Sequence, residues 1–361
     1  MHKDPRKSKI NIGSNINLEL ELENLGAHSW REFESFPHPG WSNSRSTIFN
    51  CESSRLAKND KADVIVASVP FDTTASTRSG ARNGPASVRQ ASLAYSSQLE
   101  SRGFQSLRCM RTGKTFAPKQ ICIQDLGDLH CFPSSTEMQV LATAAETYRM
   151  AMLGKLAIVI GGEHTITYPC FYGISKFHHD KTGLKIGYLQ IDHHFDFGAE
   201  SILHGKYYHG SNARRVSELA WVTPKIVGFI GQGDFTSVAQ YQYLNECGYA
   251  VCNVEQLRRT GVEEGVLSVA KKMLDSCDRL YVSIDIDVCD MSIAPGTGHI
   301  TVGGITSAEF VDIFRALKKL PVVALDVMEV SPGIDSSGRT EGLVARALYE
   351  YVFMDEVVLD G

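Results

Sequence analysis

Short apolar runs that favour β-strands recur along the chain, with amphipathic or polar segments between them. Six runs predict buried strands because they are short and rich in branched or aromatic residues; they cover residues 62–70, 121–128, 156–162, 185–191, 279–284 and 322–325. Residues 137–152 have a helical apolar period, and another helix is predicted to begin near Pro85. Strands and helices alternate without an internal repeat or a flexible linker. This alternation predicts an α/β fold with a mostly parallel sheet and helices on both faces.

Composition and charge narrow the class of protein. The chain has 361 residues, 43% of them hydrophobic, which is enough for a sizeable core in one α/β unit. The net charge of −5 argues against nucleic acid or an anionic membrane as the main partner. Every apolar run is shorter than the ~20 residues of a membrane helix. Residues 1–9 are basic and no apolar core follows them, and the nine cysteines lack paired spacing. We therefore expect a cytoplasmic protein with reduced thiols and no secretory signal.

The first 60 residues differ in character from the rest. Residues 1–60 mix Asn, Ser and charged residues with a short aromatic patch around Trp30 and Trp41. We expect an N-terminal extension that packs on the body or on a neighbouring subunit, followed by one main domain over 61–361. The alternative is that the segments around Trp30 and Trp41 form part of a lid over a pocket.

Charged residues follow the predicted strand 185–191 directly. In an extended backbone side chains alternate between the two faces, so Asp192, His194 and Asp196 are expected to project to the same side. Two carboxylates and an imidazole at one strand end suit a divalent metal ion. The alternative is a polar strand end that is simply solvated.

Three other predicted strands also lead to acids or histidines. Glu163 and His164 follow 156–162, Asp285 and Asp287 follow 279–284, and Glu329 lies shortly after 322–325. In an open parallel sheet, ligands gather at the carboxyl ends of strands. Six donors could then surround one crevice, namely His164, Asp192, His194, Asp196, Asp285 and Asp287. Six donors suit two ions roughly 3.5–4 Å apart that share carboxylates and an activated water.

These segments resemble those of the ureohydrolases, the family of arginase, agmatinase and guanidinobutyrase. Residues 161–164 read Gly-Gly-Glu-His, residues 192–196 Asp-His-His-Phe-Asp, and residues 283–298 Ser-Ile-Asp-Ile-Asp-Val-Cys-Asp-Met-Ser-Ile-Ala-Pro-Gly-Thr-Gly. The family carries Gly-Gly-Asp-His, Asp-x-His-x-Asp and Ser-x-Asp-x-Asp-x-x-Asp-Pro-x-x-x-Pro-Gly-Thr-Gly. The order and spacing match, and the resemblance runs from about Asp63 to the C-terminus.

The resemblance implies a three-layer α/β sandwich with a binuclear metal site at the carboxyl ends of the strands, in a catalytic domain over 61–361. It implies two divalent ions per subunit, Mn²⁺ by default and Ni²⁺ as the alternative. The implied metal ligands are His164, Asp192, His194, Asp196, Asp285 and Asp287. Asp192 and Asp285 would bridge the ions.

The resemblance also implies a reaction, the cleavage of a guanidino C–N bond by metal-hydroxide attack. Glu329 maps to the glutamate that binds the guanidinium, whose forked donors match a carboxylate. His209, in the segment His-Gly-Ser-Asn, maps to the active-site histidine that handles protons. Asp196 and His209 are the candidate proton carriers to the leaving nitrogen. The products would be urea, or a substituted urea, and an amine or ammonia.

Departures from the family pattern concern the substrate. Thr74 stands where many relatives carry Gly, Met291 where they carry Pro, and His299 where agmatinases and arginases usually carry Thr. Thr74 and His299 are therefore interpreted as substrate-binding positions: the bulk of Thr74 would shorten the pocket, and His299 would lie close to the tail of a substrate. They favour a compact or unusual guanidino compound, such as guanidine, an alkylguanidine or a biguanide like metformin. The alternative is an ordinary agmatinase or guanidinobutyrase.

Three arginines of the segment 71–89 have two interpretations. Arg78, Arg82 and Arg89 are anion binders on one interpretation and structural ion pairs on the other, and we favour the structural one.

Two other classes of protein remain as alternatives. One is a structural ureohydrolase-like subunit of a hetero-oligomer, and the other is a metal-dependent deacetylase with a related core. The complete set of six ligands argues against the first, and Glu329 with the pair Asp285 and Asp287 argues against the second. The resemblance further implies a homo-oligomer, a trimer or hexamer, or a hetero-oligomer with a paralogous subunit.

Overall fold

The structure is a computed structural model, and it describes residues 46–53, 62–102 and 105–358. Its strands are β1 (Glu52–Ser53), β2 (Val64–Val69), β3 (Leu107–Arg108), β4 (Thr115–Pro118), β5 (Ile123–Asp128), β6 (Leu156–Gly161), β7 (Ile186–Ile191), β8 (Val227–Ile230), β9 (Ala250–Cys252), β10 (Arg279–Asp285), β11 (Val322–Met328) and β12 (Met354–Val357). Its α-helices are α1 (Gly84–Arg102), α2 (Thr136–Met152), α3 (Thr167–Phe177), α4 (Asn212–Ser217), α5 (Val238–Cys247), α6 (Val254–Thr260), α7 (Val262–Leu274), α8 (Ser307–Leu317) and α9 (Arg339–Phe353).

One parallel sheet organises the fold. Its strand order is β1-β5-β2-β6-β11-β10-β7-β8-β9, and every neighbouring pair runs parallel. Every residue of β2 and of β7 is buried. Because successive side chains of a strand point to opposite faces, this burial means that both faces of the sheet are covered. The predicted mostly parallel sheet is confirmed.

The helices that cover the sheet form two contiguous groups. Helices α2, α3 and α4 pack in series, and α1, α9, α8, α7 and α6 form the second series. With the sheet between them, these groups give the expected three-layer α/β sandwich. Among the described residues, no helix has both the length and the apolar character that crossing a membrane requires.

The predicted strands correspond to β2, β5, β6, β7, β10 and β11. Strand β11 runs to Met328, three residues beyond its predicted end, through the fully buried Asp326. That carboxylate accepts hydrogen bonds from Ser283 Oγ at 2.8 Å and Thr167 Oγ1 at 3.0 Å. These bonds allow a charged residue inside a buried strand.

Some elements had no counterpart in the sequence prediction. Strands β8 and β9 extend one side of the main sheet, and β12, β4 and β3 form a separate three-stranded antiparallel sheet. These strands are two to four residues long, too short for an apolar period to be recognised. β12 also pairs with β4 from the far end of the chain, and a local pattern does not report such pairing.

The described part of the N-terminal segment packs on this body. The Ile48 amide donates to Asp125 Oδ2 at 2.9 Å, and the Phe49 ring lies 5.2 Å from that of Phe353. β1 then adds a short parallel strand beside β5. Trp30 and Trp41, for which a lid was considered, lie outside the described residues.

Candidate active site

Four adjacent strands deliver charged residues to one edge of the sheet. β6, β11, β10 and β7 are neighbours, and all four run in the same direction. His164 lies just after β6, Asp192 follows β7, Asp285 ends β10, and Glu329 follows β11. The carboxyl ends of parallel strands meet at one edge, so residues that are far apart in sequence converge there.

The first cluster gathers around the imidazole of His164. Its Nδ1 lies 2.8 Å from Asp196 Oδ2, 3.1 Å from Asp285 Oδ2 and 3.2 Å from Asp192 Oδ2. Its other nitrogen, Nε2, lies 2.9 Å from Ser283 Oγ, and this contact orients the ring. One imidazole and three carboxylates, all close enough to share one ion, form a candidate metal-binding group.

The second cluster shares Asp192 with the first. His194 Nδ1 lies 3.1 Å from Asp287 Oδ2 and 3.4 Å from Asp192 Oδ1, whereas the Oδ2 atom of Asp192 faces His164. The two oxygens of Asp192 therefore face different clusters, as a bridging carboxylate would. Asp285, the other predicted bridge, presents Oδ2 to His164 and uses Oδ1 to accept the Asp287 amide at 2.8 Å. The structure thus brings together all six predicted donors.

The segment that carries three of these donors is bent rather than extended. The chain turns directly after β7, and the His194 amide donates to Asp192 Oδ1 at 2.6 Å. Asp196 has a φ of 45°, in the left-handed region that non-glycine residues rarely adopt. The prediction of simple alternation from residue 192 to residue 196 is therefore wrong, although the three side chains do converge. Strained backbone of this kind concentrates at functional sites.

The buried carboxylates of this site need a nearby positive charge to be stable in their ionised form. Burial, together with Asp287 and Asp192, raises the pKa of Asp285 well above its usual value. Burial also opposes the charge of Asp192, but hydrogen bonds from His164 and His194 outweigh it and lower the pKa of that carboxyl. Asp287 Oδ1 is buried and has no hydrogen-bond partner in the described part of the chain. An ion between these oxygens would relieve the repulsion and satisfy the orphan atom, so the donor set fits divalent metal ions.

His209 is held at the wall of the same site. Its Nδ1 lies 2.8 Å from the backbone oxygen of Thr74, and its Nε2 lies 3.0 Å from Ser76 Oγ. A carbonyl oxygen only accepts, so Nδ1 carries the proton and Nε2 presents a lone pair. Burial lowers the pKa of His209, which keeps the ring neutral at neutral pH. The arrangement suits a group that takes up and returns a proton.

Glu329 uses one carboxylate oxygen to bind the backbone amide of His164 and leaves the other oxygen for a ligand. Its Oε1 accepts the His164 amide at 2.8 Å, and its φ of 65° is again left-handed. A Cβ on Gly298 would lie 2.8 Å from the backbone oxygen of Arg78 and 3.8 Å from Glu329 Oε2, so glycine allows this loop to pass close to Arg78 beside Glu329. Burial, with Asp285 and Glu163, raises the pKa of Glu329 well above its usual value. A cationic ligand would favour the ionised form.

Thr74 lies beneath the pocket rather than in its wall. The side chain is 1% exposed. Its hydroxyl donates to Glu163 Oε1 and lies 2.9 Å from Thr165 Oγ1, and its amide donates to Glu163 Oε2 at 2.7 Å. The hydroxyl also accepts the His209 amide at 3.2 Å. The side chain therefore has no direct contact with the pocket, and it acts on the site through His209.

Glu163 was left without a role by sequence reasoning. Burial raises its pKa to about 7, even though Thr74 and Thr165 donate hydrogen bonds to its carboxyl group. The available signal was the motif itself, because this chain has Glu where the family pattern has Asp. Thr74 is a second departure from the family pattern, since many relatives have Gly at this position. The two departures are linked, because the hydroxyl of Thr74 donates a hydrogen bond to the carboxyl group of Glu163.

A cavity of about 370 Å³ opens above the clusters. Its lining includes Arg78, His209, His299, Glu329 and the loop 234–237. Sequence reasoning did not find that loop, which follows β8 and carries no motif. Its Phe235 is fully exposed at the pocket mouth.

The three arginines of the segment 71–89 have different environments. Arg89 is buried and pairs with Asp125 at 2.8 Å and Asp128 at 2.9 Å, and Arg82 pairs with Asp72. These two are the structural ion pairs that we favoured. Arg78 differs, because it lines the cavity and donates to the backbone oxygen of Thr297 at 3.2 Å.

Comparisons with known proteins agree with this geometry. A sequence model described as Arginase family matches residues 62–354. The human mitochondrial guanidino acid hydrolase is 31% identical over 292 residues, which is 80% of this chain and 77% of that protein. The mitochondrial agmatinase of Gallus gallus is 30% identical over 312 residues, 83% of this chain and 84% of that one. A formiminoglutamase variant from Trypanosoma cruzi, solved with Mn²⁺, superimposes with a TM-score of 0.68 at 19% identity, over 81% of this chain and 93% of that one.

Proposed function

The chain belongs to the arginase family of hydrolases, and on that premise we propose that its substrate is a compact or unusual guanidino compound, such as guanidine, an alkylguanidine or a biguanide like metformin. The products are urea, or a substituted urea, and an amine or ammonia. The observation that carries the substrate class is the place of His299. Its imidazole lines the cavity, and its ring centre lies 4.8 Å from that of His194.

Two divalent ions complete the proposed site. His164, Asp192, Asp196 and Asp285 would hold one, and His194, Asp287 and the second oxygen of Asp192 the other. When bound, such a pair supplies a water molecule whose pKa is lowered towards neutrality. Members of the arginase family bind two metal ions. The structural neighbour from Trypanosoma cruzi was solved with Mn²⁺, which supports Mn²⁺ as the first choice of metal. The imidazoles in the site support Ni²⁺ as the alternative.

Glu329 binds the guanidinium in this proposal. Its Oε1 is already fixed by the His164 amide, so Oε2 accepts an N–H of the substrate. A carboxylate orients a planar guanidinium through charge-assisted hydrogen bonds, which places the central carbon over the two clusters. This contact stabilises the ionised form of Glu329, because the positive charge of the substrate compensates the buried carboxylate.

Protons are handled by His209 and Asp196. His209 Nε2 accepts a hydrogen bond from Ser76 Oγ at 3.0 Å; when that hydroxyl turns away, the nitrogen takes up a proton from the attacking water and gives it to the departing nitrogen. Asp196 Oδ2 also accepts a hydrogen bond from Asn212 Nδ2 at 3.1 Å, which orients the carboxylate. The leaving group therefore departs as a neutral amine or ammonia.

His299 supports a compact substrate for steric reasons. An imidazole is larger than the threonine that agmatinases and arginases usually have at this position, and it stands beside His194 at the side of the cluster that holds Asp287. A substrate without a long tail avoids this ring. A long diamine or amino acid tail would have to displace it.

One observation favours a second candidate, a guanidino acid hydrolase such as a guanidinobutyrase. Arg78 lies in the cavity wall, and its guanidinium can receive a carboxylate. The human relative is named as a guanidino acid hydrolase. An ordinary agmatinase remains the third candidate, since an agmatinase is about equally similar to the chain.

The test is urea release by the purified full chain. Metal-free protein is reloaded separately with Mn²⁺ and Ni²⁺ and assayed on guanidine, metformin, agmatine, 4-guanidinobutyrate and arginine. Turnover confined to guanidine or metformin supports the proposal. Fast turnover of 4-guanidinobutyrate or agmatine instead overturns the compact-substrate class and leaves the corresponding hydrolase. The control is His164→Ala, which removes a ligand of the first cluster and is expected to abolish turnover on every substrate.

The oligomeric state belongs to the same proposal. We propose a homo-oligomer, with a hetero-oligomer containing a paralogous subunit as the alternative. Light scattering on the purified metal-loaded chain counts its subunits: a trimer or hexamer supports the homo-oligomer, and a monomer overturns it.

A further inference from the structure

We propose that His299 is an additional protein ligand of the ion held by His194 and Asp287. The proposal rests on the two-ion site described above and adds a donor to the six that the sequence motifs predicted. Its consequence is that the two ions have different surroundings, one rich in oxygen and one with two imidazole nitrogens.

The first observation is proximity. The donor atoms of His194, Asp287 and His299 all lie within 4.8 Å of one another. Two ligands on opposite sides of one ion, with bonds of about 2.1 Å, are about 4.2 Å apart. Adjacent ligands with the same bonds are about 3.0 Å apart, so a shift of about 2 Å or less by the His299 side chain suffices for all three to bind one ion. His299 is exposed and its ring contacts that of His194, so a rotation of its side chain on the solvent side can supply that shift.

The second observation is that the backbone before His299 is fixed. Thr77 Oγ1 donates to the Gly298 oxygen at 2.7 Å, and Arg78 donates to the Thr297 oxygen at 3.2 Å. The Gly296 amide donates to Thr340 Oγ1 at 2.9 Å. A loop anchored at three successive points fixes the backbone that carries His299, so only the side-chain torsions have to change for the imidazole to reach the ion. Such preorganisation is what a metal ligand requires.

The third observation concerns which nitrogen of His194 binds the ion. Its Nδ1 faces Asp287 and Asp192, and its Nε2 lies 3.5 Å from Asp234 Oδ2 on the loop at the pocket mouth. The far nitrogen of a metal-binding histidine usually faces a carboxylate or carbonyl; here the carboxylate lies close to the buried Nε2 without a hydrogen bond to it. This pairing leaves Nδ1 for the ion, on the side where Asp287 and the carboxylate of Asp192 lie.

The donor sets that result are unequal. The first ion has one imidazole, from His164, and three carboxylates. The second has two imidazoles, from His194 and His299, with the carboxylates of Asp287 and Asp192. Imidazole suits Ni²⁺, whereas carboxylate and water suit Mn²⁺. The second site should therefore discriminate more strongly between Ni²⁺ and Mn²⁺ than the first.

The experiment measures metal binding directly, without an assay of activity. Metal-free full chain is titrated with Ni²⁺ and, separately, with Mn²⁺, in the wild type, in His299→Thr and in His299→Asn. Thr is the residue that relatives usually carry, and Asn approximates the size of the imidazole without its donor strength. His204→Thr is the matched control, since His204 is a loop histidine that does not line the cavity. X-ray absorption of the Ni²⁺-loaded proteins counts imidazole ligands.

We expect two Ni²⁺ ions per wild-type chain, with three imidazoles shared between them. Both His299 variants should lose one imidazole and bind the weaker of the two Ni²⁺ ions about 10-fold or more less tightly, because even outer partners of ligands change metal affinity 10- to 100-fold. The loss of Mn²⁺ affinity should be smaller, and the control should match the wild type.

Two results overturn the proposal in different ways. Two Ni²⁺ ions with only two imidazoles in the wild type, and unchanged affinity in both variants, would show that His299 is a wall residue while the two-ion site stands. One ion or none in the wild type would overturn the two-ion site itself, and the ligand role of His299 with it.

Discussion

Thr74 is bonded to Glu163 twice, through its hydroxyl and through its backbone amide, across a separation of 89 residues. The same threonine holds His209, whose ring nitrogen Nδ1 contacts the Thr74 carbonyl at 2.8 Å. A buried carboxyl group therefore fixes the loop that fixes the tautomer of the candidate proton carrier. This relationship leads to the first prediction.

Replacing Thr74 by Gly, the residue many relatives carry, should lower kcat about 10-fold or more and leave KM nearly unchanged. The hydroxyl bonds to Glu163 and to the His209 amide are lost, and general acid–base catalysis by one side chain contributes about 10²–10⁴-fold. Thr74→Ser keeps the hydroxyl and should retain most of the rate. Steady-state kinetics on the preferred substrate decides the matter. Thr73→Val, at the exposed neighbour, is the control, and an equal loss in T74G and T74S would argue against the hydroxyl's role.

Replacing Asp285 by Asn should have opposite effects on stability with and without metal. In metal-free protein, the ionised form of Asp285 is unfavourable, because the carboxyl group is buried and the charges of Asp287 and Asp192 repel it. D285N removes the ionisable group, and with it the free-energy cost of burying it beside two other carboxyl groups, and should raise the Tm of the metal-free form by a few degrees. In the presence of Mn²⁺ or Ni²⁺ it should lose the metal-dependent rise in Tm that the wild type shows. Thermal unfolding with and without a chelator measures both effects. A lower Tm for D285N under both conditions would contradict a charge-crowded site.

The buried ion pair of Arg89 should contribute much more to stability than an exposed pair does. Arg89 makes two bonds to Asp125 and one to Asp128, and its side chain is 2% exposed. Arg89→Met leaves two buried carboxylates without their partner and should cost about 3–5 kcal/mol of unfolding free energy. Arg89→Lys should recover only part of this, because an ammonium lacks the planar fork.

The control for this experiment is the exposed pair of Arg111 and Asp312. Arg111→Met should cost at most about 1 kcal/mol. Urea denaturation of the four proteins gives the comparison. Similar losses for R89M and R111M would mean that burial does not set the strength of the Arg89 pair.

Asp335 should make stability depend on pH in the acidic range. Burial opposes its charge, but hydrogen bonds from Ser337 and Thr340 outweigh burial and lower its pKa to about 2. The folded pKa is below the unfolded value of about 3.9, so the stabilisation is complete above that value and is lost as the pH falls towards 2.

The measurement is the difference in unfolding free energy between the wild type and Asp335→Asn at pH 6 and at pH 3. The difference should shrink at pH 3, because the carboxyl of the unfolded chain, with a pKa of about 3.9, then binds a proton while that of the folded protein stays mostly ionised. Glu264→Gln, on the exposed face of α7, is the control. A difference that stays constant between the two pH values would show that the charge of Asp335 does not matter.

The strands and the donors that follow them were predictable because both are local in sequence. The apolar composition of each run is enough to predict a buried strand, and these runs form β6, β7, β10 and β11. Because the strands are parallel, their carboxyl ends lie at the same edge of the sheet. Knowing the motifs, one can name the six clustered donors from the printed sequence. The bend after β7 and the left-handed Asp196 were missed because the same five residues read equally well as an extended strand end.

What the sequence by itself determined is the α/β class, the main parallel strands, the family and the set of donors at one edge of the sheet. Only the tertiary structure decided that Thr74 lies under the pocket, that Glu163 holds it, that Arg78 rather than Arg82 or Arg89 lines the cavity, and that His299 stands beside His194. The physical reason is the range of the interactions. A strand and the acid that follows it are specified by neighbouring residues. The role of a buried polar side chain depends instead on its hydrogen-bond partner, which can be far away in the sequence. In this chain those partners are separated by 89 residues for Thr74 and Glu163 and by 135 for Thr74 and His209.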